Sequence, residues 1–352
     1  MPTVLESLNA ALHRAFSQSE RVFLLGEDVL DPYGGAFKVT RGLSTLYPQR
    51  VITTPISEAG FVGVATGMAL RGLRPVVEIM FGDFISLIAD QLINHMAKFH
   101  WMYNGQVDLP LVVRTPMGGR RGYGPTHSQT LEKHFLGVPH IKVIAPAAFC
   151  SAEGQADPGA LLFHAILEDN GPILFIENKL QYLLPVQSQS DLRDFTLALD
   201  TSSQLHYFPT YNLAIRGAPP ANLTIAAYGY MAELAKQAAL RLAYEHEIFI
   251  ELLVPTCLSP CEIDPIINSA RGTGALLVVE EGTYTLGWGA ELVARVAEAS
   301  PTPTIRYKRL AASEVPIPAS QPLESQVLPD VGGIVQAAIQ LFRLNSEPKF
   351  AV

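Results

Sequence analysis

Apolar and polar positions follow two periods along this chain. Compact runs rich in Val, Ile, Leu and Phe occur at RVFLLGE (21–27), RVITTPI (50–56), PVVEIMF (75–81), PLVVRTP (110–116), HIKVIAP (140–146) and PILFIEN (172–178). Their length and β-branched content predict strands. Between them, apolar residues return every three or four positions, the period of a helix. DFISLIADQLINHMAKFHWMY (83–103) predicts one long helix with Ile85, Ile88, Leu92 and Met96 as its buried stripe. PGALLFHAILED (158–169) predicts another, with Pro158 near its start. The opening MPTVLESLNAALHRAF reads as an amphipathic helix with Val4, Leu5, Leu8, Leu12 and Phe16 on one side.

The alternation is the βαβ pattern of a mostly parallel sheet. It lapses over 186–222, where VQSQSDLRD and RGAPPAN are polar and Pro-rich. That stretch is expected to connect two domains and to carry a strand or two of its own. Strands follow at 223–229, 248–254, 275–281 and near 304–310, with helices near 231–245, 289–299 and 331–344. The expected fold class is α/β: two domains, 1–185 and 223–352, each a mostly parallel sheet flanked by helices. There is no internal repeat and no low-complexity tract.

Composition narrows the function. With 352 residues, 48% of them hydrophobic, the chain fits a globular protein of about two domains. The net charge is −8 with both signs interspersed, so no nucleic acid and no anionic membrane is expected as a partner. No apolar run approaches the ~18 residues of a membrane span. The first residues lack a charged segment followed by an apolar one, so no secretory leader is expected. The three cysteines, Cys150, Cys257 and Cys261, make no disulfide framework and suit a reducing, cytoplasmic location. Cys257 and Cys261 have no second Cys/His pair nearby and are expected as small buried apolar groups.

TPISEAG (54–60) places a carboxyl, Glu58, in the first turn of an otherwise apolar helix. Ser57 as N-cap and an acid favoured by the helix dipole account for it locally. The alternative is a working acid at the mouth of a parallel sheet, where ligands of such sheets bind. MGGRRGYGPTHSQ (117–129) is a long strand-end loop with four glycines, Arg120, Arg121 and His127. Long ordered loops at strand ends usually carry function, and this one lacks the Lys-Ser/Thr ending of a P-loop. Phe81, Asp83 and Phe84 follow the third strand, and an aromatic there stacks on a planar ligand or joins the core. GWGAE (287–291) reads as a tight turn before a helix. No G-x-S-x-G, H-E-x-x-H or G-x-G-x-x-G motif is present.

Four stretches together are specific: LLGEDV…YGGAFKVTRGL, TPISEAGFVGVATGMALRGLRPVVEIMFGDF, PLVVRTPMGG and GYGPTHSQTLEKHFLGVPHIKVIAP. They closely resemble the beta subunit of thiamine-diphosphate-dependent 2-oxo acid dehydrogenases, the pyruvate, branched-chain and acetoin type. The likeness runs from about residue 20 to 180 and resumes at LTIAAYG and LLVVEEGTYTLGWGAELVARVAE. It implies a pyrimidine-binding first domain and a transketolase C-terminal-like second domain. Glu58 then matches the glutamate that hydrogen-bonds N1′ of the cofactor's aminopyrimidine and so promotes loss of the thiazolium C2 proton. Phe84 matches the ring stacked on the pyrimidine, and Ile56 an apolar contact beside it. His127 matches a histidine near the reaction centre that assists carboligation or acyl transfer to a lipoyl arm. Asp169, with the Ile166 and Gly171 carbonyls, matches a site for a monovalent cation, K⁺.

The resemblance also implies a partner. Enzymes of this type hold Mg²⁺ and the diphosphate with a GDG…N element, and this chain has no GDG. Mg²⁺ wants oxygen ligands and phosphates, so an alpha subunit is expected to supply them, in an α2β2 heterotetramer with a second copy of this chain. The second domain's apolar helices are expected to be exposed and to form the contact between the two copies. The implied reaction is oxidative decarboxylation of a 2-oxo acid, with the acyl group passed to a lipoyl acyltransferase. A second reading keeps the cofactor but makes the chain the C-terminal half of a split transketolase-like or biosynthetic enzyme. A third is a non-catalytic structural or regulatory subunit, against which Glu58, Phe84 and His127 together argue.

Overall fold

The computed structural model describes residues 1–151, 156–200, 205, 207–300 and 305–346. Residues 152–155 lie outside the described residues, as do parts of two expected features: 201–204 and 206 of the connector, and Thr304 of the last expected strand. The tail 347–352 lies outside them as well.

The first half builds α1 (Val4–Gln18), β1 (Val22–Gly26), α2 (Leu43–Leu46), β2 (Val51–Thr53), α3 (Glu58–Leu70), β3 (Arg74–Glu78), α4 (Ala97–Met102), β4 (Val112–Met117), β5 (Lys142–Ile144), α5 (Pro158–Leu167) and β6 (Ile173–Asn178). The remainder builds β7 (Phe195–Asp200), β8 (Thr210–Ile215), β9 (Leu223–Ala227), α6 (Gly229–His246), β10 (Ile250–Pro255), β11 (Cys257–Ser259), α7 (Asp264–Thr273), β12 (Ala275–Thr283), α8 (Trp288–Ala299), β13 (Arg306–Ala312), α9 (Gln321–Val327) and α10 (Val331–Ser346).

All six strands expected in the first domain form, in the spatial order β5-β6-β4-β3-β1-β2, and all run parallel. A seventh strand, β11, joins antiparallel to β5 although it lies far along the chain. Three residues between Pro255 and Pro260 carry too little pattern to reveal it. The second sheet runs β13-β12-β9-β10-β8-β7. Its first four strands are parallel and its last two antiparallel. The polar stretch 186–222 therefore contributes two strands, β7 and β8, to the edge of that sheet.

The expected helix over 83–103 keeps its stripe but not its winding. A 3₁₀ helix spans Gly82–Ile88, a π-helical turn Gln91–Met96, and α4 follows. Ile85, Ile88, Leu92 and Met96 are all buried. Their steps of three, four and four residues let one face stay apolar through each change of pitch. α1 is set by a full capping box, with Thr3 Oγ1 accepting the Glu6 N–H at 3.2 Å and Glu6 Oε2 the Thr3 N–H at 2.8 Å. It packs on α5.

Each of the two main apolar clusters draws on both domains, Leu8 and Phe175 with Leu252 and Ile334 in one, Val77 and Ile176 with Leu276 and Trp288 in the other. The expected exposed helices of the second domain are mostly covered, because α6 and α10 pack on each other. Exposed apolar side chains occur on both domains, among them Ile56, Val64 and Trp101 in the first and Tyr244 and Leu286 in the second. Cys257 and Cys261 are buried as expected.

One charged network lies inside the first sheet. Arg114 of β4, 1% exposed, donates to both Glu177 oxygens of β6 at 2.6 and 2.8 Å and to Glu78 of β3. The Tyr182 hydroxyl donates to Glu177 Oε2 at 2.6 Å. Removing one partner of such a network strands buried charge, which is far costlier than deleting the whole set. Arg114→Met is therefore expected to lower unfolding free energy by about 3–5 kcal/mol in urea titrations; a loss under about 1 kcal/mol would contradict the assignment.

Candidate active site

Parallel strands bring their C-terminal ends to one edge of the sheet. Along the order β2-β1-β3-β4-β6, the residues just beyond those ends are Glu58, Glu27, the Phe81–Phe84 stretch, the 118–129 loop and Lys179. Residues scattered over 150 positions of sequence thus form one row.

At its first station, Ser57 occupies the N-cap position of α3, yet its side chain makes no capping bond. Glu58 is 6% exposed, and among the described residues no hydrogen bond reaches its carboxyl. The helix dipole favours an anion there, and neither Glu58 oxygen is among the atoms buried without a partner, so the carboxyl keeps a side reachable from outside the chain. Glu27 stands beside it. Burial, then the charge of Glu58, push the Glu27 carboxyl above the usual range, and its Oε1 is buried without a partner among the described residues. Ile56, on the turn into α3, is 87% exposed.

The middle of the row is aromatic. The His127 ring stands 4.7 Å from Phe81 and 5.3 Å from Phe84, edge-on to both, and Phe81 also meets Phe37, Phe84 and Tyr123 at 5.7–6.0 Å. Such edge-to-face pairs lock ring orientations. Phe84 and His127 stay half-buried, and His127 Nδ1 lies 2.9 Å from Thr126 Oγ1. Gly118, at φ +93°, starts the loop where a Cβ would collide with the Asn178 amide.

Beneath the loop, Lys179 is 1% exposed and donates to the His127 carbonyl. Burial pulls its ammonium down to about 8. Asp83 accepts the Gln129 N–H, and burial pushes its carboxyl up. Further carboxyls lie where the loop and the strand ends meet the second domain. Glu281 accepts the Gly119 N–H and the Asn178 amide, both at 2.8 Å. Glu132 accepts the Tyr228 hydroxyl. Glu280 accepts the Gly289 N–H at 3.1 Å, in the tight turn expected at GWGAE. Glu132 Oε2 and Glu280 Oε2 are buried without partners among the described residues. Burial, then the charge of Glu132, push Glu280 up to about 7.

Ile166, Asp169 and Gly171 lie elsewhere, at the opposite edge of the sheet, beside an open groove of about 670 Å³ at the N-terminal ends of β4, β5 and β6. The Ile166 and Asp169 carbonyls do converge, and Arg74 Nη1 donates to them at 2.9 and 2.8 Å. The Asp169 carboxylate takes Lys142 Nζ at 2.8 Å and the Gly171 N–H at 2.8 Å.

Comparison with known proteins decides the family. The transketolase pyrimidine-binding domain matches residues 1–183 and the transketolase C-terminal domain residues 216–334. The chain is 36% identical over 342 residues, 96% of this chain and 85% of the relative, to "Pyruvate dehydrogenase E1 component subunit beta-2, mitochondrial" of Oryza sativa subsp. japonica. It is 33% identical to "Acetoin:2,6-dichlorophenolindophenol oxidoreductase subunit beta" of Bacillus subtilis, over 96% of both chains. The chain belongs to the beta subunits of thiamine-diphosphate-dependent 2-oxo acid dehydrogenases. A solved structure described as "Split gene transketolase, inactive beta4 tetramer" shares the fold, with TM-score 0.72, 19% identity and coverage of 98% of this chain and 99% of that one.

In a chain of this family the row can take an aminopyrimidine: a carboxyl with no donor among the described residues, then a wall of rings. It does not fit Mg²⁺, because no cluster of three or more His, Cys, Asp or Glu able to hold a metal occurs among the described residues. Sequence reading singled out Glu58, Phe84 and His127. It missed Glu27, Lys179 and the Glu132–Glu280–Glu281 group, although charged residues closing apolar strands, as in LLGED, FIENK and VVEEG, were the available signal.

Glu280 holds its proton more tightly folded than unfolded. Its contribution to stability is full below the unfolded value of 4.5 and is lost as pH rises to about 7. Glu280→Gln should therefore flatten the fall of the urea midpoint between about pH 5 and 7; curves parallel to the parent's would contradict the raised pKa.

Proposed function

We propose that this chain is the catalytic beta half of a pyruvate dehydrogenase-like enzyme that oxidatively decarboxylates a 2-oxo acid and passes the acyl group to a lipoyl arm. One observation carries the reading: a carboxyl 6% exposed, with no donor among the described residues, begins α3 at one end of a row that continues into the Phe84–His127 rings. Thiamine diphosphate, when bound, supplies the carbon nucleophile that this chemistry needs. Glu58 would hold the proton at N1′ of the pyrimidine, and the apolar turn around it strengthens that hydrogen bond by excluding water. Phe84 would lie against the pyrimidine ring, with Ile56 covered only once the site is complete. His127 would exchange a proton with the substrate oxygen or the incoming acceptor.

The rest of the cofactor site is proposed to come from an alpha subunit carrying the GDG element, Mg²⁺ and the diphosphate pocket, in an α2β2 assembly located in the cytoplasm. A lipoyl acyltransferase is the proposed acceptor. K⁺ at Ile166, Asp169 and Gly171 belongs to the proposal as an ion sharing two carbonyls with Arg74, each oxygen having a second lone pair. Exchanging potassium for lithium at constant ionic strength should then lower the thermal midpoint; an unchanged midpoint leaves Arg74 as the cation of that turn.

Glu58→Gln in the reconstituted pair should assemble normally and lose decarboxylation by about 10²–10⁴-fold, read as CO₂ release with an artificial oxidant. Activity within about twofold of the parent would remove Glu58 from the mechanism.

A further inference from the structure

The loop carrying His127 leaves the sheet at the end of β4 and returns above the two strands that flank it, β3 and β6. A charged side chain from beyond each flanking strand reaches the loop's main chain. From the β3 side, Asp83 accepts the Gln129 N–H with both carboxylate oxygens at 3.3 Å. From the β6 side, the Lys179 ammonium donates to the His127 carbonyl. An acid meets an N–H and an ammonium meets a carbonyl, two residues apart. The lysine bond is charge-assisted, and the shared Asp83 contact is longer and weaker but points the same way.

Lys179 is 1% exposed and has no direct ion pair among the described residues. Asp83, Glu281 and Glu324 act on its charge only from further away and offset part of its desolvation. The faces of Phe81 and Tyr123, 5.3 and 5.6 Å away, share its charge. An apolar side chain of similar length would avoid the desolvation cost. The ring wall beside it depends on the same loop, because Phe81 and Phe84 both meet the His127 imidazole.

We propose that Asp83 and Lys179 are positioning residues that clamp the main chain around His127 and so set where its imidazole stands against Phe81 and Phe84. The inference rests on His127 acting at the reaction centre.

Lys179→Met and Asp83→Ala test it in the full chain, with Asp83→Asn as the companion that keeps an acceptor oxygen. In the cofactor-free chain, amide exchange over 123–129 should quicken about tenfold or more in the first two variants, while α3 keeps its parent rates. Asp83→Asn should restore slow exchange. In the assembled enzyme, Lys179→Met should lower kcat at least about tenfold and leave KM for the 2-oxo acid within about twofold. Unchanged exchange over 123–129 would overturn the clamp, and so would an increase spread evenly over the chain, which marks a merely structural role. Should the parent assembly decarboxylate no 2-oxo acid, the proposed function fails, and the exchange rates still decide the clamp.

Discussion

Three neighbouring strands meet at one buried guanidinium. Arg114 on β4 binds Glu177 on β6 and Glu78 on β3, just below the edge from which every candidate catalytic group projects. The site needs neighbouring strand ends at fixed height and spacing. Hydrophobic packing fixes which face of a strand is buried, but not how far it slides along its neighbour. Directional bonds in a low-dielectric interior do fix that. Gly35 packs against Glu78, so close that a Cβ would collide with its carboxylate. The network thereby also anchors the 28–42 loop, and Phe37 on it meets both Phe81 and Tyr182. Scaffold and site are joined through these few atoms.

Much of this arrangement was legible from the sequence because parallel strands are buried on both faces and read as continuous apolar runs. β1, β3 to β6, β9, β10 and β12 fall within or overlap such runs, the partly buried edge strands β2 and β13 overlap expected strands as well, and the Ile85-Ile88-Leu92-Met96 stripe survives in the structure. What stayed hidden depends on partners distant in sequence. β11 is recognisable only from its pairing with β5. The polar residues of β7 and β8 alternate because they form an antiparallel edge, which a search for apolar runs passes over. The 3₁₀ and π windings between Gly82 and Met96 follow from tertiary contacts, since the stripe suits a regular helix equally well.

The same distinction holds for the site. Glu58 stands out locally, as a carboxyl in an apolar turn. Lys179 does not, because a lysine after a strand is ordinarily solvated. Its importance comes from the loop folding over it. At the Ile166–Gly171 turn the resemblance pointed to an ion, and nothing in the sequence indicated that the Arg74 guanidinium would also reach the Ile166 and Asp169 carbonyls.

On the proposed reading this chain carries half of a catalytic centre, and no metal cluster occurs among its described residues. Central to that reading is completion of the cofactor site by another subunit. The most direct measurement is calorimetric titration of thiamine diphosphate with Mg²⁺, first into this chain alone and then into the chain assembled with the GDG-bearing subunit. Heat of binding is predicted only for the assembly, and chelating Mg²⁺ should abolish it there. Micromolar binding to the isolated chain, about −8 kcal/mol, would contradict it.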